Sequence, residues 1–508
     1  MSLQTGKKVE NIIKSAVILT LFSLACKGIG TLFRLYLSVR IGAEGMGLYQ
    51  LIMSVYTLFT SFATAGFTVA ASRLIAEQLE ANDGGKRANG MLNAAFRLSI
   101  GVALVACAAM AAVTLGAPAS LLGDERTRGP LCILILSLPF MAITSCLKGA
   151  FMAYRKIYVP SSNSLFEQLV KIGVTMLCFG FFMKNETDIT SLCTGTVIGV
   201  VAGEAASFIY LSLFYLFGIR TSGGTHTKIS HFARVSTPIA ASSYVTSILH
   251  TCENLLIPYC LGLYGNDKAE SLAQFGLIRG MVIPIVFFPF AFLSSLLSIL
   301  IPEISRLNIR DDKTARDERI NRVLTLAFVF SAAVGGVFYF FADEISVMLY
   351  KDTASAPYLR LIALVTPFMY VETIADGLLK SIGEQLYTLK TSVINSVLRI
   401  IIICFLVPRS GAIGYTYLLI GSNTFAFLTC MIRIKQKCNV KLRPVGNMLL
   451  PGAVTIAAAA AAKRLSEIMT ASEPSNIPVI ISIGAFLAVY LVFSAFLLKK
   501  RGVFNRHK

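Results

Sequence analysis

Long apolar runs alternate with short polar breaks along the whole chain. Nearly every run reaches about twenty residues, enough at about 1.5 Å per residue to cross a bilayer as a helix. The runs fall at 12–39, 47–79, 89–116, 130–154, 158–183, 189–217, 232–262, 272–303, 320–341, 357–380, 386–408, 411–434, 445–466 and 477–499. The thirteenth carries the weakest signal, because its Ala457–Ala462 stretch contributes little transfer energy. Spanning β-strands would instead alternate over about ten residues. The pattern predicts an all-α integral membrane protein with about fourteen transmembrane helices.

The runs also repeat. Pro139-Phe140-Met141, followed by Gly149, returns 228 residues later as Pro367-Phe368-Met369, followed by Gly377. At the same offset Lys171-Ile172 becomes Arg399-Ile400, and at the nearly equal offset of 233 Ser72-Arg73-Leu74 resembles Ser305-Arg306-Leu307 in the same order. The chain therefore reads as two pseudo-symmetric six-helix bundles, 1–220 and 221–440. Residues 441–508 add two transmembrane helices and a basic cytoplasmic tail. Parallel repeats of this kind are a transporter layout, with a cavity near the midplane about which the halves rock.

Composition sharpens this reading. Of 508 residues 55% are hydrophobic and 14% charged, with a mean hydropathy of +0.70, far from a soluble domain. The net charge of +19 lies in short loops rather than on one soluble face, so it reads as a topology signal and not as a nucleic-acid surface. Loops on the N-terminal side hold about 27 Lys and Arg against about 10 opposite, which predicts that both termini are cytoplasmic. Loops rarely exceed about fifteen residues, too short for an appended catalytic domain.

The eleven cysteines include no CxxC pair and read as small buried hydrophobes. The four histidines, His226, His231, His250 and His507, show no metal spacing, and no GxxxxGK[ST] loop is present. The expectation is a monomer that is not an enzyme and has no cofactor or metal. Its energy would come from sodium or proton coupling, membrane potential or the gradient of the substrate itself.

The candidate chemistry lies inside the apolar runs. Lys27 and Arg34 are seven residues apart and so share one stripe of the first span. A cation at the centre of a membrane helix costs about 2.5 to 3.5 kcal/mol on the insertion scale, which favours a stripe facing water or an anion. Snorkelling to the membrane surfaces is the competing reading. Arg279 precedes Pro284 and Pro289, which interrupt the eighth span. Glu253-Asn254, followed by Pro258, reads as a cation or proton site, with Asn395, Asn423 and Thr424 as further oxygen donors. Glu167 and Lys171, four apart, are expected to pair on one face. Glu204 has no local partner, and with Glu372 and Asp376 it is a further candidate for proton coupling.

Nearly the whole chain resembles the oligosaccharide-lipid flippases of the multidrug/oligosaccharidyl-lipid/polysaccharide (MOP) superfamily, nearest to the stage V sporulation protein B-like branch, which is related to lipid II flippases. The resemblance rests on Arg34 with Arg40-Ile41-Gly42, on Arg279-Gly280-Met281 with Pro284, and on Ile301-Pro302-Glu303-Ile304-Ser305. It implies a central cavity in which Arg34, Arg279 and more loosely Lys27 hold a pyrophosphate and sugar head group, with Glu253 at a sodium-site position. Phe59 and Thr60 stand where relatives carry arginine, which leaves the head group open. The expected function is a flippase or exporter of a polyprenyl-pyrophosphate-linked glycan, such as a peptidoglycan or other polysaccharide precursor. The rivals are a cation-coupled multidrug exporter, which would want an acidic cavity, and a non-transporting membrane scaffold in envelope or spore assembly.

Overall fold

The computed structural model describes residues 2–79, 85–116, 118, 122–182, 188–218, 228–440, 450–472 and 477–500, and among them there is no strand. The basic tail expected beyond residue 500 lies outside the described residues. The chain forms two compact units, Met1–Gly276 and Leu277–Lys508.

The first unit comprises α1 (Ser2–Thr64), α2 (Phe67–Leu79), α3 (Lys86–Gly116), α4 (Arg128–Ile135), α5 (Leu138–Ala153), α6 (Tyr158–Leu177), α7 (Ile189–Gly218), α8 (Ile229–Leu263) and α9 (Lys268–Phe275). Two expected spans, 12–39 and 47–79, lie along α1 and α2, and α1 breaks between them at Gly42 with φ 71° and ψ −178°. Only glycine adopts that conformation without strain. Between α4 and α5 the chain bends by 50°. Pro139 has no N–H for the Ile135 carbonyl, and the Cys107 thiol of α3 donates to that carbonyl instead, at 3.6 Å. A buried cluster of Phe67, Ala71, Leu74, Met91, Cys146 and Phe232 joins α2, α3, α5 and α8.

Small residues bring the helices together. A Cβ on Gly199 of α7 would stand 2.0 Å from Thr175 Oγ1 and 2.7 Å from the Lys171 carbonyl of α6. Likewise a Cβ on Gly47 of α1 would stand 2.0 Å from the Leu272 carbonyl, and one on Gly276 would stand 2.0 Å from the Ala43 carbonyl. Lipid supplies no hydrophobic drive between helices, so this close approach of backbones is what packs them.

The second unit opens on a π-helical turn, Gly276–Val282, shared at its first residue with the unit before it. It continues with α10 (Ile283–Phe287), α11 (Phe290–Ile309), α12 (Lys313–Phe340), α13 (Ala342–Tyr350), α14 (Ala356–Ser381), α15 (Gln385–Lys437), α16 (Leu450–Ser472) and α17 (Ile477–Lys500). Pro289 leaves the Ile285 carbonyl without its usual donor, and the Phe288 N–H reaches it at 3.1 Å in a tighter turn. The next carbonyl, Val286, accepts from the Tyr370 hydroxyl of α14. Gly411, at φ 59° and ψ −148°, reverses α15 as Gly42 reverses α1.

By length and apolarity ten described helices qualify as spans, or eleven with the bent α4–α5 pair taken as one. Phe22–Leu79 and Gln385–Lys437 each hold two of the expected spans, whereas Lys268–Phe287 and Phe290–Ile309 share one. Both α8 and α16 are long enough but do not qualify, α8 because of its many hydroxyl residues with His231, His250 and Asn254, and α16 because it carries Lys463, Arg464 and Glu467. Every expected span has its helix or helices.

At the α14–α15 connection Glu384 accepts from Arg433 at 2.6 and 2.9 Å and from Lys437 at 2.9 Å. These bonds from Lys437 and Arg433 hold the Glu384 carboxyl below the usual carboxylate range. A lowered folded value gives stability that is fully present above the ordinary Glu value of about 4.3 and is lost as pH falls through the lowered one. Glu384→Gln should therefore flatten the acid limb of the unfolding temperature measured in detergent between about pH 3 and pH 5. An unaltered acid limb would remove this cluster from the stability balance. Gly47→Ala should cost about 1 to 3 kcal/mol through overpacking. Gly421→Ala, which meets nothing within 4 Å, should not. Equal unfolding temperatures for the two variants would refute the tight contact.

Candidate functional site

The first span presents its cations on one side and its packing surface on another. Lys27 and Arg34 are exposed, while Phe33, Leu37 and Ser38 are buried. Gly30 lies on the packing side, where a Cβ would stand 3.4 Å from Gln168 Nε2 of α6. Arg34 makes no ion pair among the described residues.

Below that packing surface four charges from three helices gather within the first unit. The expected pairing of Glu167 with Lys171 does not form. Glu167 instead lies 3.6 Å from Lys148 of α5, both side chains being about a quarter exposed. The Lys171 ammonium stands 5.9 Å from the Phe33 ring centroid of α1. The physical reason is tertiary. Gly203 of α7 presses on the Lys171 stem, where its Cβ would lie 3.1 Å from that of Lys171, so a neighbouring helix rather than helical spacing chooses the partners. Glu204, one residue on, feels the charges of Glu167, Lys148 and Lys171. Nearby, the Tyr56 hydroxyl bonds Ser137 Oγ at 2.7 Å and Met141 S at 3.0 Å.

Glu253 is fully buried on α8, with Oε2 3.9 Å from His250 Nδ1. Around it α8 is joined to α1 by polar rungs. Thr251 donates to the Ser54 carbonyl at 3.0 Å, Asn254 to Ser54 Oγ at 2.9 Å, and Ser247 to Ser61 Oγ at 2.6 Å. The Asn254 Oδ1 is buried and accepts no hydrogen bond. A buried carboxylate beside an idle amide oxygen suits a proton or a small hard cation.

In the second unit Arg279 sits in the π-helical turn with its guanidinium 5.8 Å from the centroid of the buried Tyr415 ring. Tyr350 donates to the Met281 carbonyl at 3.0 Å, one of the backbone groups that such a turn displaces. Asn395 accepts from Ser422 at 3.0 Å. Asn423 and Thr424 spend their donors on their own helix, at Leu419 and Ile420. Asp376 pairs with Lys380 at 2.6 Å, and Glu372 accepts from Thr373 at 3.3 Å. Among the described residues no group of three or more His, Cys, Asp or Glu is placed to hold a metal. Sequence reasoning passed over Lys148. The 228-residue repeat places it on Asp376, so both halves carry a charge at that position.

A multi-pass helical protein that keeps cations and carboxylates within its spans, with proline-broken helices beside them, has the build of a membrane transporter. Residues 12–308 match the family described as polysaccharide biosynthesis protein, and residues 243–405 match the MatE family. The chain belongs to the polysaccharide biosynthesis protein family, within the MOP superfamily of transporters.

It is similar to stage V sporulation protein B of Bacillus subtilis (strain 168), with 21% identity over 507 residues, 97% of this chain and 96% of that protein. It also matches the lipid II flippase MurJ of the same organism, with 23% identity over 217 residues, 40% of this chain and 39% of that one. Among solved structures, lipid II flippase MurJ in an inward closed conformation superimposes with a TM-score of 0.72 at 14% identity, covering 95% of this chain and 99% of that one. An inward-facing multidrug resistance MATE family transporter of the MOP superfamily gives 0.60 at 15% identity, covering 83% and 98%.

Removing one member of the Lys148–Glu167 pair leaves a charge in the membrane interior without its counter-ion. Lys148→Met should therefore lower stability by about 1 to 3 kcal/mol, and the double variant Lys148→Met/Glu167→Gln should recover much of that loss. Thermal unfolding of the single and double variants measures the coupling. Strictly additive losses would dissolve the pair.

Proposed function

We propose that the protein is a flippase that carries a polyprenyl-pyrophosphate-linked glycan from the cytoplasmic to the outer leaflet of a bacterial plasma membrane by alternating access, with both termini cytoplasmic. The observation that carries this reading is the basic stripe of the first span, where Lys27 and Arg34 stand exposed within an apolar helix. Such cations repay their insertion cost by holding an anion, and a pyrophosphate offers the acceptors that guanidinium and ammonium groups bind best. Arg279, held in a π-helical turn against Tyr415, supplies a third cation. Membership of the polysaccharide biosynthesis protein family and likeness to stage V sporulation protein B over 97% of the chain support the same substrate class. Glu253, Asn254 and Glu204 are the groups through which a sodium or proton gradient would act.

The match of residues 243–405 to the MatE family favours a second reading, an exporter of organic cations in exchange for protons or sodium. Reconstitution into liposomes separates the two. With a labelled polyprenyl-pyrophosphate sugar, flipping should be seen with wild type and should fall to background with Arg34→Ala and with Arg279→Ala, both variants keeping the wild-type elution profile. Normal flipping by the folded double variant would remove these residues from the mechanism. Efflux of an organic cation dye with no movement of the lipid would establish the exporter instead.

A further inference from the structure

Arg279 sits on a stretch of backbone that cannot satisfy itself. It lies in the π-helical turn Gly276–Val282, and such a turn displaces carbonyls from the regular ladder. Pro284, just beyond, has no N–H to give back to them. From Gly276 to Leu293 the only side chain with a hydrogen to donate is that of Arg279 itself, so a replacement donor has to come from another element. It comes from α13, whose last residue, Tyr350, donates its hydroxyl to the Met281 carbonyl at 3.0 Å. Arg279, Met281, Tyr350 and Tyr415 all belong to the second unit. The supporting helix is itself tied down at both ends. Its first turn pairs Asp343 with Arg360 of α14 and Glu344 with Lys463 of α16. Further along, Ser355 donates to Ser346 Oγ at 3.0 Å, and the helix closes at Lys351, left-handed at φ 59°, whose N–H reaches the Val347 carbonyl at 2.9 Å.

We propose that Tyr350 is a positioning residue for Arg279: its hydroxyl holds the π-helical turn in the register that lays the guanidinium over the Tyr415 ring and keeps that cation placed for a phosphate of the head group. The inference rests on the flippase reading and deepens it by naming what sets the geometry of the Arg279 site. The lever is the extra residue in the turn. An α-helix advances about 100° per residue, so a π-helical turn that relaxes into α-helix rotates the residues on one side of it by about that much against those on the other. Arg279 would then leave the face of Tyr415, from whose ring centroid its guanidinium now stands 5.8 Å. Relaxation would also return the Met281 carbonyl to the backbone ladder and deprive the Tyr350 hydroxyl of its acceptor. The bond between them therefore favours the π-helical form over the α-helical one.

The test is calorimetric titration of the full chain in lipid nanodiscs with farnesyl pyrophosphate, a soluble polyprenyl pyrophosphate, joined to hydrogen–deuterium exchange on the same samples. Tyr350→Phe removes only the hydroxyl. It should weaken binding about tenfold and speed amide exchange over residues 277–289, with the other spans exchanging as in wild type. In an Arg279→Ala background the same substitution should change affinity by less than about twofold, because nothing is left to position. Tyr350→p-aminophenylalanine keeps the ring and a weaker donor, and should bind about threefold less tightly than wild type. That variant carries the test should Tyr350→Phe fail to fold.

Wild-type affinity in Tyr350→Phe, or in Tyr350→p-aminophenylalanine where the first variant does not fold, overturns the inference. So does unchanged exchange over residues 277–289. An equal loss of affinity with and without Arg279 overturns it too, since Tyr350 would then serve the fold alone. Each of these results leaves the flippase reading standing. No binding of farnesyl pyrophosphate by wild type overturns the flippase reading, and this inference with it.

Discussion

Within hydrocarbon a polar group has only the rest of the chain to turn to, and that constraint runs through every part of the structure. The prolines show it most directly. At Pro139 and Pro289 the missing N–H exposes a carbonyl, and there the chain supplies a replacement. Cys107 reaches Ile135, the Phe288 N–H tightens onto Ile285, and Tyr370 crosses from α14 to Val286. The bends at Pro139 and Pro289 are therefore tied to particular side chains on neighbouring helices. Charges obey the same rule at higher stakes, as Lys148 and Glu167 show across two helices and Arg279 shows over Tyr415.

Packing in the first unit follows from small residues and hydroxyls rather than from bulk. Gly47, Gly199 and Gly276 let backbones approach to distances that a methyl group would forbid. The rungs from Ser247, Thr251 and Asn254 then fasten α8 to α1. Individual rungs of this sort contribute about 0.6 kcal/mol on average in membranes, so register is set by several acting together. The charged quartet inherits its geometry from this close packing. Lys171 points where it does because α7 lies against its stem.

The spans were legible in the sequence because transfer of about twenty apolar residues outweighs every local preference. The prolines and the intramembrane charges could be placed for the same reason. What sequence spacing misassigned was partnership. Four residues along a helix put Glu167 and Lys171 within reach of each other, yet the contact that formed lies between helices and was decided by Gly203 and Lys148. The π-helical turn at Gly276–Val282 left no mark in the apolar pattern, because an extra residue per turn changes hydrogen bonding without changing hydropathy. The internal repeat and the compact units describe different things. A 228-residue offset records how the halves correspond, whereas the division at Gly276 and Leu277 records which helices pack together.

The reversals at Gly42 and Gly411 join two helices each with no intervening loop. One extra residue at either point would turn everything downstream by about 100° and advance it by about 1.5 Å, carrying the Ser54 rung away from α8 or the Tyr415 ring away from Arg279. Length at these two corners is therefore as constrained as chemistry is elsewhere. Insertions and deletions that separate this protein from its relatives should avoid both, whatever liberty the rest of the chain allows.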